Sequence, residues 1–101
     1  MQQYSTDQNE FWRVLGGSAR SQAALMTLEP GKDTGGPDNR HARSDQWLYV
    51  ISGKGEAFVS GETLDLKEGM LVLIEAGEAH QIRNTGDKPL RTLDFYAPPE
   101  Y

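Results

Sequence analysis

The sequence predicts an all-β domain, a single sandwich or barrel built from seven or eight short strands. Three observations point there. The apolar runs are short and rich in β-branched and aromatic residues. Eleven glycines and five prolines interrupt them singly and at fairly even spacing. No stretch makes a convincing helix, and at 101 residues the chain supplies one modest core.

The elements follow in order. The opening MQQYSTDQNE is polar, and these first ten residues are expected to be loose. Residues 1–19 read as an N-terminal segment, an edge strand or dimer arm, and 20–101 as the barrel itself. SQAALMTLEPG is a strand closed by a Pro30-Gly31 turn, and GGPDNRH is a loop that tightens into the next strand. QWLYVIS is a strand ending at GKG. EAFVSGETLDL reads as two strands joined around Ser60-Gly61-Glu62, a hairpin. After KEG, MLVLIEAGEAHQIRN gives a buried strand, a reversal at Ala76-Gly77-Glu78, and another strand opened by His80 and closed by Asn84. TGDKP turns the chain into the last strand, LRTLDFYAP.

Alternation assigns faces. Gln46, Leu48, Val50 and Ser52 point one way, and Trp47, Tyr49 and Ile51 the other. If the first set lines the interior, the aromatic set needs a covering layer. The segment carrying Phe11, Trp12 and Val14 is one candidate, and a second subunit is another; a homodimer is expected, with swapped or packed N-terminal strands as its contact.

Composition removes several function classes. Ten Lys and Arg against 15 Asp and Glu leave a net charge of −5, with no basic block to neutralise a phosphate backbone, so nucleic acid is not an expected partner. No run approaches the roughly 18 apolar residues of a membrane helix, and the polar start offers no signal peptide, so a cytoplasmic protein is expected. The absence of cysteine excludes disulfides, thiolate nucleophiles and cysteine-based metal sites. There is no nucleophile elbow and no phosphate-cradling glycine loop.

What remains is a pair of histidines. Asn39 and His41 are two residues apart and share a face if extended. Gln46 follows just past a tight connection. A barrel could set His80 against the Asn39–His41 segment with Gln46 beside them. Each residue also has a plainer reading: His41 as a loop-edge residue between Arg40 and Arg43, and Asn84 as a turn residue.

The pattern resembles the cupin superfamily. Gly69, MLVLI, Glu75, Ala76, Gly77, EA, His80, QIR and Asn84 match its second motif with only the proline replaced, by Glu75. In the first motif His41 fits the second histidine, Gln46 takes the glutamate place and Gly53 is the closing glycine, while Asn39 stands where the first histidine would be. The LEPG at residues 28 to 31 also looks like the turn that precedes that motif.

The resemblance implies a double-stranded β-helix, or jelly-roll, barrel over roughly residues 20 to 97. It also implies a divalent transition metal (zinc, nickel, manganese, iron or copper) at Asn39, His41, Gln46 and His80. Two imidazoles are good borderline ligands, whereas two amides coordinate only through weakly basic oxygens. Such a site should hold its ion more weakly than the family's three histidines and one glutamate. Arg43 and Leu48 are candidate ligand contacts: Arg43 could clamp a carboxylate, its plainer role being a solvated partner of Asp45, and Leu48 shares the Gln46 face. Function is left between two classes. One is a metal-dependent oxygenase, isomerase or decarboxylase acting on a small polar or anionic ligand. The other is a non-catalytic domain that binds or senses a carbohydrate or carboxylate.

Overall fold

The computed structural model describes residues 1–36 and 39–101, so Pro37 and Asp38 of the predicted GGPDNRH loop lie outside the described residues. The described residues form eight strands: β1 (Trp12–Gly17), β2 (Gln22–Leu28), β3 (Asp45–Ser52), β4 (Lys54–Val59), β5 (Glu62–Lys67), β6 (Leu71–Ile74), β7 (His80–Asn84) and β8 (Leu90–Ala97). They build two antiparallel sheets, one ordered β1-β2-β8-β3-β6 and the other β5-β4-β7. This is the predicted jelly-roll.

Strands β3, β4, β6 and β8 alternate in burial, as one-sided strands should. In β3, Gln46, Leu48 and Val50 are buried while Asp45, Trp47 and Tyr49 are exposed. The inward residues of the larger sheet include Met26, Leu28, Leu48, Val50, Val72 and Ile74. They pack on Ala57, Val59, Leu66 and Ile82 of the smaller sheet to make one core. The β4–β5 hairpin turns on two residues, Ser60 and Gly61, with φ of 48° and 82°. Two successive positive φ values give the turn whose twist matches that of paired strands. Gly53, with φ of 89°, lets the chain leave β3 in one sheet and enter β4 in the other.

The covering layer differs from one expectation. Residues 12–17 join the barrel as the edge strand β1, in which Trp12 pairs with Met26 and so faces the interior side of the sheet. Strands β2 and β8 separate β1 from β3. The chain before β1 does reach the outer surface, where the Arg91 guanidinium donates to the carbonyls of Thr6 and Gln8. Trp47 and Tyr49 nonetheless stay about two-fifths exposed, at 41% and 39%.

Candidate functional site

The site lies at one open end of the barrel, where the segment 39–41 docks onto the start of β7. The His80 backbone N–H donates to the Asn39 carbonyl at 2.7 Å, and the Gly77 N–H donates to the His41 carbonyl at 2.7 Å. These bonds replace the continuous pairing that a loop could not supply. They bring the two imidazoles together with ring centroids 4.9 Å apart. Gln46 enters from the start of β3, and Asn39, His41, Gln46 and His80 all line one cavity of about 460 Å³.

Each of these four side chains has a hydrogen-bond donor engaged. His41 Nδ1 lies 3.1 Å from the carboxylate of Glu100. His80 Nδ1 lies 3.1 Å from the Glu78 carbonyl, which can only accept, so the proton sits on that nitrogen. Gln46 Nε2 donates to Asp94 Oδ1 at 3.0 Å, and Asn39 Nδ2 donates to the Thr34 carbonyl at 3.1 Å. Beyond these bonds the two imidazoles keep Nε2, and the two amides keep their oxygens and one further N–H each. The Gln46 oxygen is buried and has no protein partner. A buried acceptor in that condition costs about 1–3 kcal/mol.

The surrounding charges are set by burial. Asp94 is fully buried, and desolvation pushes its carboxyl up to about 6 against the bonds from Thr92 and Gln46. Burial also lowers the His80 pKa below the ordinary imidazole value, opposed by the Glu78 carbonyl, so the ring is held neutral. The Tyr96 phenol is held protonated, well above the usual range, by burial and by the charge of Asp94.

Two expected ligand contacts lie elsewhere. Arg43 is exposed and is not among the residues lining the cavity, because the chain bends at residues 42 and 43 and breaks the two-residue alternation with His41. Its expected partner Asp45 instead accepts a bond from the Ala76 N–H at 2.9 Å. Leu48 shares the Gln46 face but sits two residues deeper, fully buried in the core cluster. Asn84 is a structural staple: its amide donates to the Leu28 and Lys88 carbonyls at 2.8 and 2.7 Å and accepts from Gly86.

Three residues of the site were not anticipated. Asp94 was legible, since alternation in LRTLDFYAP puts it on the same face as Leu90, Thr92 and Tyr96, the buried face of β8. Glu100 and Tyr101 follow the last strand and carry no motif. Gln22 holds them: its amide oxygen accepts the backbone N–H groups of both at 3.2 and 2.9 Å. Ser44 Oγ lies within 3.0 Å of Glu100 and 2.7 Å of the Pro98 carbonyl. Tyr101 then packs edge-on against Trp12 and Tyr96, with centroids 5.0 and 5.3 Å apart.

A family model described as a cupin domain matches residues 24–96. The chain belongs to the cupin family. Among solved structures, a crystal structure of BH2720 from Bacillus halodurans superposes with a TM-score of 0.88 at 31% identity, covering 94% of this chain and 75% of that one. A predicted oxalate decarboxylase from Thermotoga maritima superposes with a TM-score of 0.78 at 25% identity, covering 87% of this chain and 79% of that one. Among curated proteins, YrkC of Bacillus subtilis is 31% identical across 96% of this chain and 55% of its own length. An oxalate-binding protein of Thermotoga maritima is 31% identical across 69% of this chain and 56% of its own length. The cupin chain thus spans about half the length of these curated relatives.

Proposed function

We propose that this cupin binds a divalent metal ion at the open end of its barrel and a small oxygen-bearing ligand beside it. The observation that carries the reading is the shared polarity of His41, His80, Gln46 and Asn39. Each commits a side-chain nitrogen to a protein oxygen, and all four residues line the same cavity.

The donor chemistry fits an ion of the imidazole-binding kind. His41 and His80 are the strong ligands, and Gln46 and Asn39 add neutral oxygens. Partners behind the ligands orient them, as in protein metal sites generally: Glu100 on His41, the Glu78 carbonyl on His80 and Asp94 on Gln46. A bound ion would supply a Lewis-acid centre that polarises a ligand oxygen. The four residues bind and orient, and Glu100 and Asp94 provide negative charge behind them. No member of the four is anionic, so binding is weaker than in a set with a carboxylate, and the ion should exchange readily. The names of relatives, which range from an oxalate-binding protein to a polyketide synthase, do not select a ligand.

Elemental analysis of freshly purified protein and zinc titration after chelator dialysis test this. One exchangeable ion per chain is expected. His41→Ala and His80→Ala should each abolish it with the far-ultraviolet circular dichroism unchanged, since the core is apolar and does not include the ligands. A folded protein that takes up no stoichiometric ion would overturn the metal reading.

A further inference from the structure

We propose that residues 98–101 are a strap that lies closed across the mouth of the cavity at rest, latched by Gln22 and Ser44, and lifts to admit a ligand. The proposal takes the location of the site from the function above but does not depend on its metal.

The latch is built into the barrel rim. Strand β8 runs between β2 and β3, and the strap leaves it after Ala97. Gln22 opens β2 on one side and Ser44 precedes β3 on the other, so the strap is flanked by both. On the β3 side Ser44 Oγ lies 2.7 Å from the Pro98 carbonyl and 3.0 Å from the Glu100 carboxylate. On the β2 side the Gln22 amide donates to the Tyr101 carbonyl at 2.6 Å and accepts from the Glu100 and Tyr101 N–H groups. Both side chains are buried, and among the described residues every side-chain bond they make ends on the strap. Buried polar groups need partners, and for these two the docked strap supplies them.

What the strap crosses is the way in. Tyr101 meets Trp12 of β1, an edge of the larger sheet, with ring centroids 5.0 Å apart. It also meets His41, with centroids 6.0 Å apart, in the segment docked on β7, an edge of the smaller sheet. One ring thus touches both lips of the opening, while Glu100 ties the strap to His41 at 3.1 Å. Both strap residues line the cavity together with His80.

The same contacts let the strap lift. Tyr101 is 61% exposed, and among the described residues no backbone-to-backbone bond holds 98–101. A surface segment held by side chains opens locally at far lower cost than a strand paired on both sides. Opening returns Gln22, Ser44 and Glu100 to water at the rim, which replaces the bonds they lose.

Two measurements on the metal-free full chain test this. Hydrogen exchange should find the Glu100 and Tyr101 amides protected relative to an unstructured peptide, yet exchanging at least about tenfold faster than amides in the middle of β8. Diethyl pyrocarbonate, read by mass spectrometry, should modify His80 about tenfold faster in Gln22→Ala than in the native chain, with the β8 amides as protected as before. His80 is the reporter because it lines the cavity and is only 7% exposed. If Gln22→Ala does not fold, Ser44→Ala is read in the same way. Strap amides as slow as those of β8, or wholly unprotected, would overturn the proposal. So would a His80 rate that the latch variant leaves unchanged. Zinc titration of the same preparations separates the two claims. A gated His80 without zinc uptake keeps the strap and removes the ion, and zinc uptake with an ungated His80 does the reverse.

Discussion

Gln46 donates its amide nitrogen to Asp94 across the β3–β8 pair at 3.0 Å, and this one bond fixes how the amide is oriented at the start of β3. Asp94 is in turn held by the Thr92 hydroxyl at 2.8 Å, and all three side chains are buried. The carboxyl is removed from water with two donors for its two oxygens, fewer than an ionised carboxylate can use.

Stability should therefore depend on pH through Asp94. Its pKa rises from 3.8 to about 6 on folding, so the native chain holds the proton more tightly than the unfolded one. The contribution is fully present below pH 3.8 and is lost as pH rises to about 6, a difference on the order of 3 kcal/mol. His80 acts oppositely: its lowered pKa contributes stability above the ordinary imidazole range that is lost as pH falls. Urea unfolding of the native sequence and of Asp94→Asn across pH 4 to 7 separates them. The gap between the two curves should change across the acid half of that range, whereas a constant gap would show that Asp94 does not titrate as described.

Glu100→Ala should leave the fold nearly intact, within about 1 kcal/mol, because the pair with His41 is partly open to solvent. Its effect should fall on the imidazole. Nitrogen-15 spectra are expected to lose the fixed Nδ1–H tautomer of His41, and zinc affinity should drop about ten- to a hundredfold. Unchanged spectra and affinity would leave Glu100 as a bystander.

Gly55 and Gly16 should respond in opposite ways to alanine. A Cβ on Gly55 would run into the Arg83 carbonyl of the paired strand β7 and lie 2.8 Å from the Leu90 side chain. Backbone cannot yield there, so Gly55→Ala should cost about 3 kcal/mol or more. A Cβ on Gly16 meets only the Tyr4 ring, which is exposed and can swing away. Gly16→Ala should shift the urea midpoint little, and a large shift would mean that Tyr4 is fixed in place.

The difference between what was legible and what was not follows sequence separation. Alternation in QWLYVIS and the two spaced motifs placed Gln46, His41 and His80 around one opening, because strand period and turn glycines act locally. The segment carrying Trp12 was one of two candidates for the layer over Trp47 and Tyr49; Trp12 faces the other side of the sheet, since its face depends on pairing with Met26 and not on its own neighbours. Arg43, a candidate cavity contact whose plainer reading was a solvated arginine, is exposed because the bend before β3 interrupts the alternation. Glu100 escaped notice because it meets His41 only after the whole barrel has closed, 59 residues later in the chain.

Trp47 faces outward opposite Leu73 on one side and Phe95 on the other, and Tyr49 repeats the arrangement between Leu71 and Leu93. Five of these six side chains are exposed by 39% to 56%. They form two apolar rows across three strands, ending at the edge strand β6. A sheet face of this kind next to an open edge favours association. A homodimer closed over these rows is the expected form in solution, because the two-row pattern can meet its own copy without introducing a charge. Sedimentation equilibrium at micromolar concentration should give twice the chain mass, and Trp47→Glu, which places a carboxylate at the centre of the first row, should return it to one. A native chain that sediments as a monomer throughout that range would remove the dimer. A variant that stays dimeric would move the contact to another face.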